Sequence, residues 1–291
     1  MPKNPYADAL VGLKLEDPIK AFFNFCRERE QIRINRKRGL PNPWSKDPIF
    51  QKGRFLNVFR EDDRGSKSII NFCSGLENDL TKLIHAVFFS RWCNKQETLD
   101  SLSYPDLLKL EELNKRLSAK SEWCNKTAYP VESIVWNNVK KNRLETATFL
   151  FDDIKQLMTN TILASKGDAT RATNEINKLL KMENEFPIFM AVVDIAWFRP
   201  DIIEPESHVP TGIGAVAYLD ILQSYLKLNN HNETCDKMIS LQQEYWPEAK
   251  RKFQPIDIEY LSCECRKYYS YVNGTKKFEG KNLFTPKDYI M

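Results

Sequence analysis

Five groups of residues have types and spacings that could do chemistry. In residues 17–38, DPIKAFFNFCREREQIRINRKR, a helical step of about 100° puts Phe22, Phe25, Cys26, Arg29, Arg33 and Arg36 on one side. That face starts apolar and turns cationic. It reads as a solvated helix end, where basic residues suit the dipole, or as a helix whose last turns line an anion-binding cleft. Guanidinium groups suit phosphate because they offer forked donors and keep their charge. In RFLNVFREDDRGS, Arg60 and Arg64 lie one helical turn apart with Asp63 between them. This is a surface ion-pair set, or a pair of arginines orienting a phosphate or pyrophosphate while Asp63 orients an arginine or takes a proton.

Three further groups follow. SRWCNKQET supplies Arg91, Asn94, Glu97 and Thr98 at the end of an apolar helix, where a polar helix terminus also accounts for them. In VPTGIG, Gly212 and Gly214 bracket Ile213 before a helix, a turn of the kind whose backbone N–H groups meet a phosphate in helix-hairpin-helix DNA binders. In PIDIEYLSCECRKY, Ile258, Leu261, Cys265 and Tyr268 form an apolar stripe with Glu264 at its edge near Lys267, and Glu259 faces roughly away. A glutamate at the rim of an apolar face can serve as a base, or simply pair with the lysine one turn on. Asp194 and Asp220 sit in strongly apolar helices, where an aspartate caps, pairs or catalyses.

The elements that must position these groups read as helices. Gly39 ends the 17–38 helix, and Pro41, Pro43 and Pro48 make the next stretch a loop. A short helix is expected in RFLNVFREDDR, then a turn near Gly65 and another helix. SYPDLLKLEELNKRLSAKSEWCNK reads as one helix opened by Pro105, residues 131–165 as one or two helices, and FPIFMAVVDIAWF as a central one apolar nearly all round. A helix follows the 210–214 turn, and PIDIEYLSCECRKYYSYV gives the last. The expectation is an all-α chain: one domain over 1–291, or two helical lobes of about 17–165 and 166–275 sharing a cleft, with a loose tail at 276–291.

Composition narrows the class. With 291 residues, 42% apolar and 28% charged, the chain can bury a core and reads as an ordinary globular protein. Ten glycines argue against a glycine-rich nucleotide loop or a turn-dense all-β chain, and 17 Phe, 11 Tyr and 6 Trp supply surface for a core and for base stacking. No apolar run approaches a membrane span, and the N-terminus lacks the pattern of a signal peptide. Seven scattered cysteines, no CxxC and three histidines argue against zinc and for reduced, intracellular thiols. Of 43 Lys/Arg and 39 Asp/Glu, residues 1–64 hold 14 and 9, a surplus of 5, and the rest 29 and 30, so the positive excess sits in the first quarter, which is compatible with a polyanion partner.

The order of the motifs carries more than any one of them. FFNFCREREQIRINRKRGLPNPWSKDPIF, RFLNVFREDDRGS, FSRWCNKQET, the G-x-G followed by AY, and DIEYLSCECRKY together resemble the α-glutamyl/putrescinyl thymine pyrophosphorylase family. The likeness is dense over residues 20–100 and thinner over 205–268. That family occurs largely in bacteriophages with hypermodified thymine, also fused to a 5-hydroxymethyluracil DNA kinase, and is related to the helix-hairpin-helix DNA glycosylase fold. Here the stretch after the hairpin holds no glycine where family members carry a glycine-rich segment, and CECRKY replaces the usual CEFDKY.

The resemblance implies a helix-hairpin-helix glycosylase-like architecture with a central cleft, in the cytoplasm of a phage-infected host. It implies a transferase that displaces pyrophosphate from the C5 methylene of modified uracil in DNA with an amino acid or polyamine, downstream of the kinase. No cofactor is required, although Mg²⁺ on the pyrophosphate is compatible with it. Carried over residue by residue, Asp63, Glu264, Arg60 and Arg64 are expected to be catalytic. Arg29, Arg33, Arg36, Asn57, Arg91, Asn94, Glu97 and Lys267 are expected to bind substrate or phosphate, and Trp44, Gly212 and Gly214 to meet DNA. Arg29, Arg33, Arg60 and Arg64 should converge on one pocket. Two competing readings are a non-catalytic module for modified DNA and a helix-hairpin-helix glycosylase.

Overall fold

The computed structural model describes residues 4–125 and 133–279. In chain order its helices are α1 (Pro18–Lys37), α2 (Pro48–Lys52), α3 (Arg64–Cys73), α4 (Leu80–Cys93), α5 (Gln96–Leu99), α6 (Tyr104–Leu107) and α7 (Leu110–Ser118). A two-stranded antiparallel hairpin follows, β1 (Ile134–Trp136) and β2 (Val139–Lys141). Then come α8 (Arg143–Glu145), a π turn at Thr146–Leu150, α9 (Phe151–Leu163), α10 (Ala169–Leu180), α11 (Phe186–Ile195), α12 (Val216–Leu226), α13 (His231–Tyr245) and α14 (Pro255–Val272). The chain divides into two compact units, one made of Met1–Arg60 with Thr211–Met291, the other of Glu61–Pro210. The 165/166 division read from the sequence lies inside the second unit, where Glu204 N–H donates to the Gly167 carbonyl at 2.9 Å.

In the first unit, α1 begins where its sequence says it should. Asp17 accepts the Lys20 N–H at 2.9 Å, Pro18 occupies the first turn, and Gly39 takes a left-handed φ of +70° just past the end. Phe22, Phe23, Phe25 and Cys26 are buried against α12, α13 and α14. Phe23 stacks on Phe253 and Phe22 packs against Tyr218, whose hydroxyl donates to the Pro18 carbonyl at 2.9 Å. A second aromatic cluster joins Phe25, Phe50, Phe55 and Tyr268 at centroid separations of 5.1–6.0 Å. Each fully buried ring contributes about 1.5–3 kcal/mol. The RFLNVFREDDR stretch is not helical as expected. Before the helix at Arg64 it forms only a 3-10 turn over Arg60–Asp62.

In the second unit, α4 is buried from Leu83 to Cys93 and packs on α3, α9 and α11. Asp79 caps its start by accepting the Lys82 N–H at 3.1 Å, and Asn94 ends it in the left-handed conformation. α11 is buried from Pro187 to Ile195, as its all-round apolar sequence predicts. Two expectations are corrected here. Residues 134–141 form the hairpin rather than helix, because Asn137 and Asn138 both take positive φ, the tight two-residue turn that asparagine tolerates. The single helix opened by Pro105 is two, α6 and α7, each with its own start. Of the expected tail, 280–291 lies outside the described residues, while Phe278 stacks on Tyr271 with centroids 4.1 Å apart.

Candidate functional site

Ten of the residues singled out in the sequence belong to the first unit. Arg29 is 3% exposed. Its Nε and Nη2 both donate to the Phe55 carbonyl at 3.2 Å, and Nη2 also donates to Asn57 Oδ1 at 2.7 Å. Its Nη1 is buried with no hydrogen-bond partner among the described residues. Arg29 lines an open hollow with Arg36, Trp44, Ser45, Gln51 and Gly53. The Arg36 guanidinium lies 5.2 Å from the Trp44 ring centroid, and Trp44 Nε1 donates to the Leu40 carbonyl at 2.6 Å, so the indole is fixed as one wall. Arg33 shares the helix face but forks onto Glu30, with Nε to Oε2 at 2.8 Å and Nη2 to Oε1 at 2.5 Å.

Glu264 and Lys267 of α14 meet the same stretch of chain that Arg29 holds. Glu264 Oε2 accepts the Leu56 N–H at 3.0 Å, Lys267 Nζ donates to the Arg54 carbonyl, and the two side chains are 3.8 Å apart. Arg29, Asn57, Glu264 and Lys267 are thus brought together around residues 54–57. The close spacing read as a possible Glu–Lys surface pair is instead a buried clamp, since Glu264 is 6% exposed.

The G-x-G turn packs on α14. A Cβ at Gly212 would lie 3.0 Å from Glu259 Oε1, and one at Gly214 would lie 2.6 Å from Cys263 Sγ. Glycine is needed here for close approach. The Gly212 N–H, expected to face a phosphate, donates to Glu259 Oε1 at 2.9 Å, and Arg266 Nε donates to the Gly214 carbonyl at 3.0 Å. Glu259, which the helical wheel turned away from the apolar stripe, is 6% exposed. Burial pushes its carboxyl up to about 7, against the opposing pull of the Gly212 N–H and the Arg60 charge. Arg60 itself is 5% exposed.

One arrangement has no counterpart in the motif reading. His231, the first residue of α13, has Nδ1 3.2 Å from Thr211 Oγ1 and Nε2 2.8 Å from Asp220 Oδ1. Asp220 was a candidate by its apolar surroundings, yet it is exposed. Its histidine partner stands eleven positions away in a stretch with no motif.

The second unit holds the other five. Arg91 is 3% exposed and forks onto the fully buried Asp194, with Nη2 donating to Oδ1 at 2.9 Å and Nε to Oδ2. This pair ties α4 to α11. Arg64 opens α3, with Asp63 at the N-cap position making no side-chain cap bond. Arg64 Nη2 lies 3.6 Å from Glu97 Oε1, both side chains being more than half exposed. Asn94 Oδ1 would lie 3.7 Å from a Cβ at Gly65. Arg29, Arg33 and Arg60 therefore belong to one unit and Arg64 to the other. Among the described residues no group of three or more His, Cys, Asp or Glu could hold a metal ion, and no helix is long and apolar enough to cross a membrane.

A family model described as the helical domain of 5-hmdU DNA kinase matches residues 16–277. The chain belongs to this family. The match reaches into both units and covers every candidate site residue named above, and it ties the chain to the setting of hydroxymethyluracil DNA modification. Within that setting the family description does not single out a transferase. The helical content agrees with the all-α expectation apart from the small hairpin. No curated protein and no solved structure matches the chain.

Proposed function

We propose that this helical domain acts on DNA carrying pyrophosphorylated 5-hydroxymethyluracil and replaces the pyrophosphate with an amine, an amino acid or a polyamine, in the cytoplasm of a phage-infected host. The observation that carries the reading is Arg29, a buried guanidinium with an unpartnered Nη1 at a hollow that Arg36 and Trp44 also line. A buried and a half-buried guanidinium beside an aromatic wall suit a phosphorylated pyrimidine, and the family supplies the modified base. In the reaction the amine nitrogen attacks the C5 methylene. The C–O bond breaks, pyrophosphate leaves with the bonding pair, and the amine proton passes to a base. Cations aimed at the leaving oxygens lower the barrier because the charge develops there. A base stacked in duplex DNA is out of reach, so the nucleotide is extruded or the strand distorted.

The remaining roles belong to this proposal. In the first unit Arg60 acts on phosphate with Arg33, Asn57 and Lys267 in support, and the Gly212–Gly214 turn approaches the DNA backbone without using the Gly212 N–H, which Glu259 holds. In the second unit Arg64 acts on phosphate with Arg91, Asn94 and Glu97 in support. Asp63 and Glu264 are the carboxylates assigned to the proton that the nitrogen sheds once the C–N bond has formed. Partnership with a 5-hydroxymethyluracil DNA kinase supplies the activated base. The test incubates the protein with pyrophosphorylated hydroxymethyluracil DNA and a panel of amines, followed by nucleoside mass spectrometry. An amine-bearing nucleoside with pyrophosphate release is expected. Abasic sites favour a glycosylase. Tight, salt-sensitive binding with unchanged nucleosides favours a recognition module.

A further inference from the structure

We propose that Thr211, His231 and Asp220 form a proton relay that deprotonates the amine donor; this deepens the transferase reading and rests on it. The His231 ring is engaged at both nitrogens, Nε2 at 2.8 Å from Asp220 Oδ1 and Nδ1 at 3.2 Å from Thr211 Oγ1. An ionised carboxylate only accepts, so Nε2 carries the hydrogen of the neutral ring and Nδ1 presents its lone pair to the Thr211 hydroxyl. A hydroxyl within reach of a base, with that base oriented by a carboxylate, is the arrangement that moves a hydroxyl proton onto imidazole.

The local fold fixes the three groups. Asp220 lies in the second turn of α12, and Lys227 ends that helix at a left-handed φ of +56°. Asn230 caps α13 by accepting the Glu233 N–H at 2.9 Å, which sets His231 at its first position. Thr211 precedes the glycine turn held by Glu259. The relay is open to a small donor: the Asp220 side chain is 59% exposed, that of His231 is 21% exposed, and Thr211 is half-buried.

Alkylamines arrive as ammonium ions, with pKa values of about 10, and cannot attack in that form. Thr211 Oγ accepts one ammonium proton as its own proton moves to His231 Nδ1. The imidazolium is stabilised by Asp220, and the amine lone pair is released for attack on the methylene. The imidazolium then returns its proton to the departing pyrophosphate or to water, which restores the neutral ring. Thr211 touches the donor and is the catalytic residue of the set; His231 and Asp220 act through it.

The experiment uses the full chain and pyrophosphorylated hydroxymethyluracil DNA with two donors, putrescine and methoxyamine, the second unprotonated at neutral pH. Thr211→Val and His231→Gln are expected to lose about a hundredfold or more in rate with putrescine, and only a few-fold with methoxyamine, which needs no prior deprotonation. Thr211→Ser keeps the hydroxyl and retains activity. A purely structural role for the bonds predicts equal losses with both donors, and that result, or full activity of His231→Gln, overturns the relay while leaving the transferase reading standing. Wild-type protein that forms no amine-bearing nucleoside from either donor overturns the transferase reading and the relay with it. Nitrogen-15 NMR of His231 gives an independent check on the folded protein. A hydrogen at Nε2 is expected in the neutral ring, and a hydrogen at Nδ1 removes the acceptor on which the relay depends.

Discussion

Arg29 both holds the backbone and borders the hollow, and the two duties make different demands. Arg29→Met removes both donors to the buried Phe55 carbonyl and one bond to Asn57, which should cost about 2–4 kcal/mol in urea unfolding. Arg64→Ala removes an exposed pair with Glu97 and should change stability by less than about 1 kcal/mol in the same measurement. A large loss for Arg64→Ala or none for Arg29→Met would reverse the assignment of which arginine is structural. The cationic face of α1 was legible because three arginines recur at helical spacing. What each one meets was not. Arg29 reaches a carbonyl 26 positions on, Arg33 folds back onto Glu30 within its own helix, and Arg36 lies on an indole within the proline-rich loop. Partner choice across a fold leaves no periodicity in the chain.

At the scale of elements, the glycine turn and α14 act as one packed joint. Gly214→Ala drives a Cβ to 2.6 Å from Cys263 Sγ, and overpacking of this kind costs about 1–3 kcal/mol. Cys263→Ala removes the obstructing sulfur. The double variant Gly214→Ala with Cys263→Ala should therefore recover most of the loss, as a favourable coupling in a double-mutant cycle of thermal unfolding. Additive losses would mean the glycine serves backbone freedom instead. The turn itself was readable from PTGIG, but its purpose was not, because the motif that suggests a phosphate cradle is the same one that permits close helix packing. The hairpin at 134–141 was hidden for a different reason. Its strands are three residues each, too short for alternation to outweigh the helical signal on either side, and the Asn137-Asn138 pair was its one local mark.

At the scale of the whole molecule, the two units should answer acid in opposite directions. Glu259 in the first has its carboxyl raised from 4.5 to about 7 by burial. Between those values the folded state binds more protons than the unfolded, so this unit gains stability as pH falls from 7 toward 4.5. His85 in the second is buried, and its imidazole is pushed down from 6.5 to about 4. There the unfolded state binds more protons, so stability falls as pH drops below 6.5. Each effect should reach on the order of 2 kcal/mol between pH 7 and pH 5. Hydrogen exchange read by mass spectrometry, corrected for intrinsic rates, should show core amides of the first unit better protected at pH 5 and those of the second less. Glu259→Gln should abolish the first change, and parallel responses in both units would refute the assignment. The helical class was legible from periodicity. The return of the chain at Thr211 to complete the unit begun at its start was not, since the apolar faces of α1 and α14 carry no sign that they belong together.

That return has a consequence for synthesis. A ribosome delivers Glu61–Pro210 as one uninterrupted stretch that can close on itself as it emerges. The phenylalanine face of α1 emerges before that stretch and must wait for α12, α13 and α14, which are translated after it. Nascent chains stalled before residue 255 should therefore expose a sticky aromatic helix to chaperones, although their middle portion is already folded.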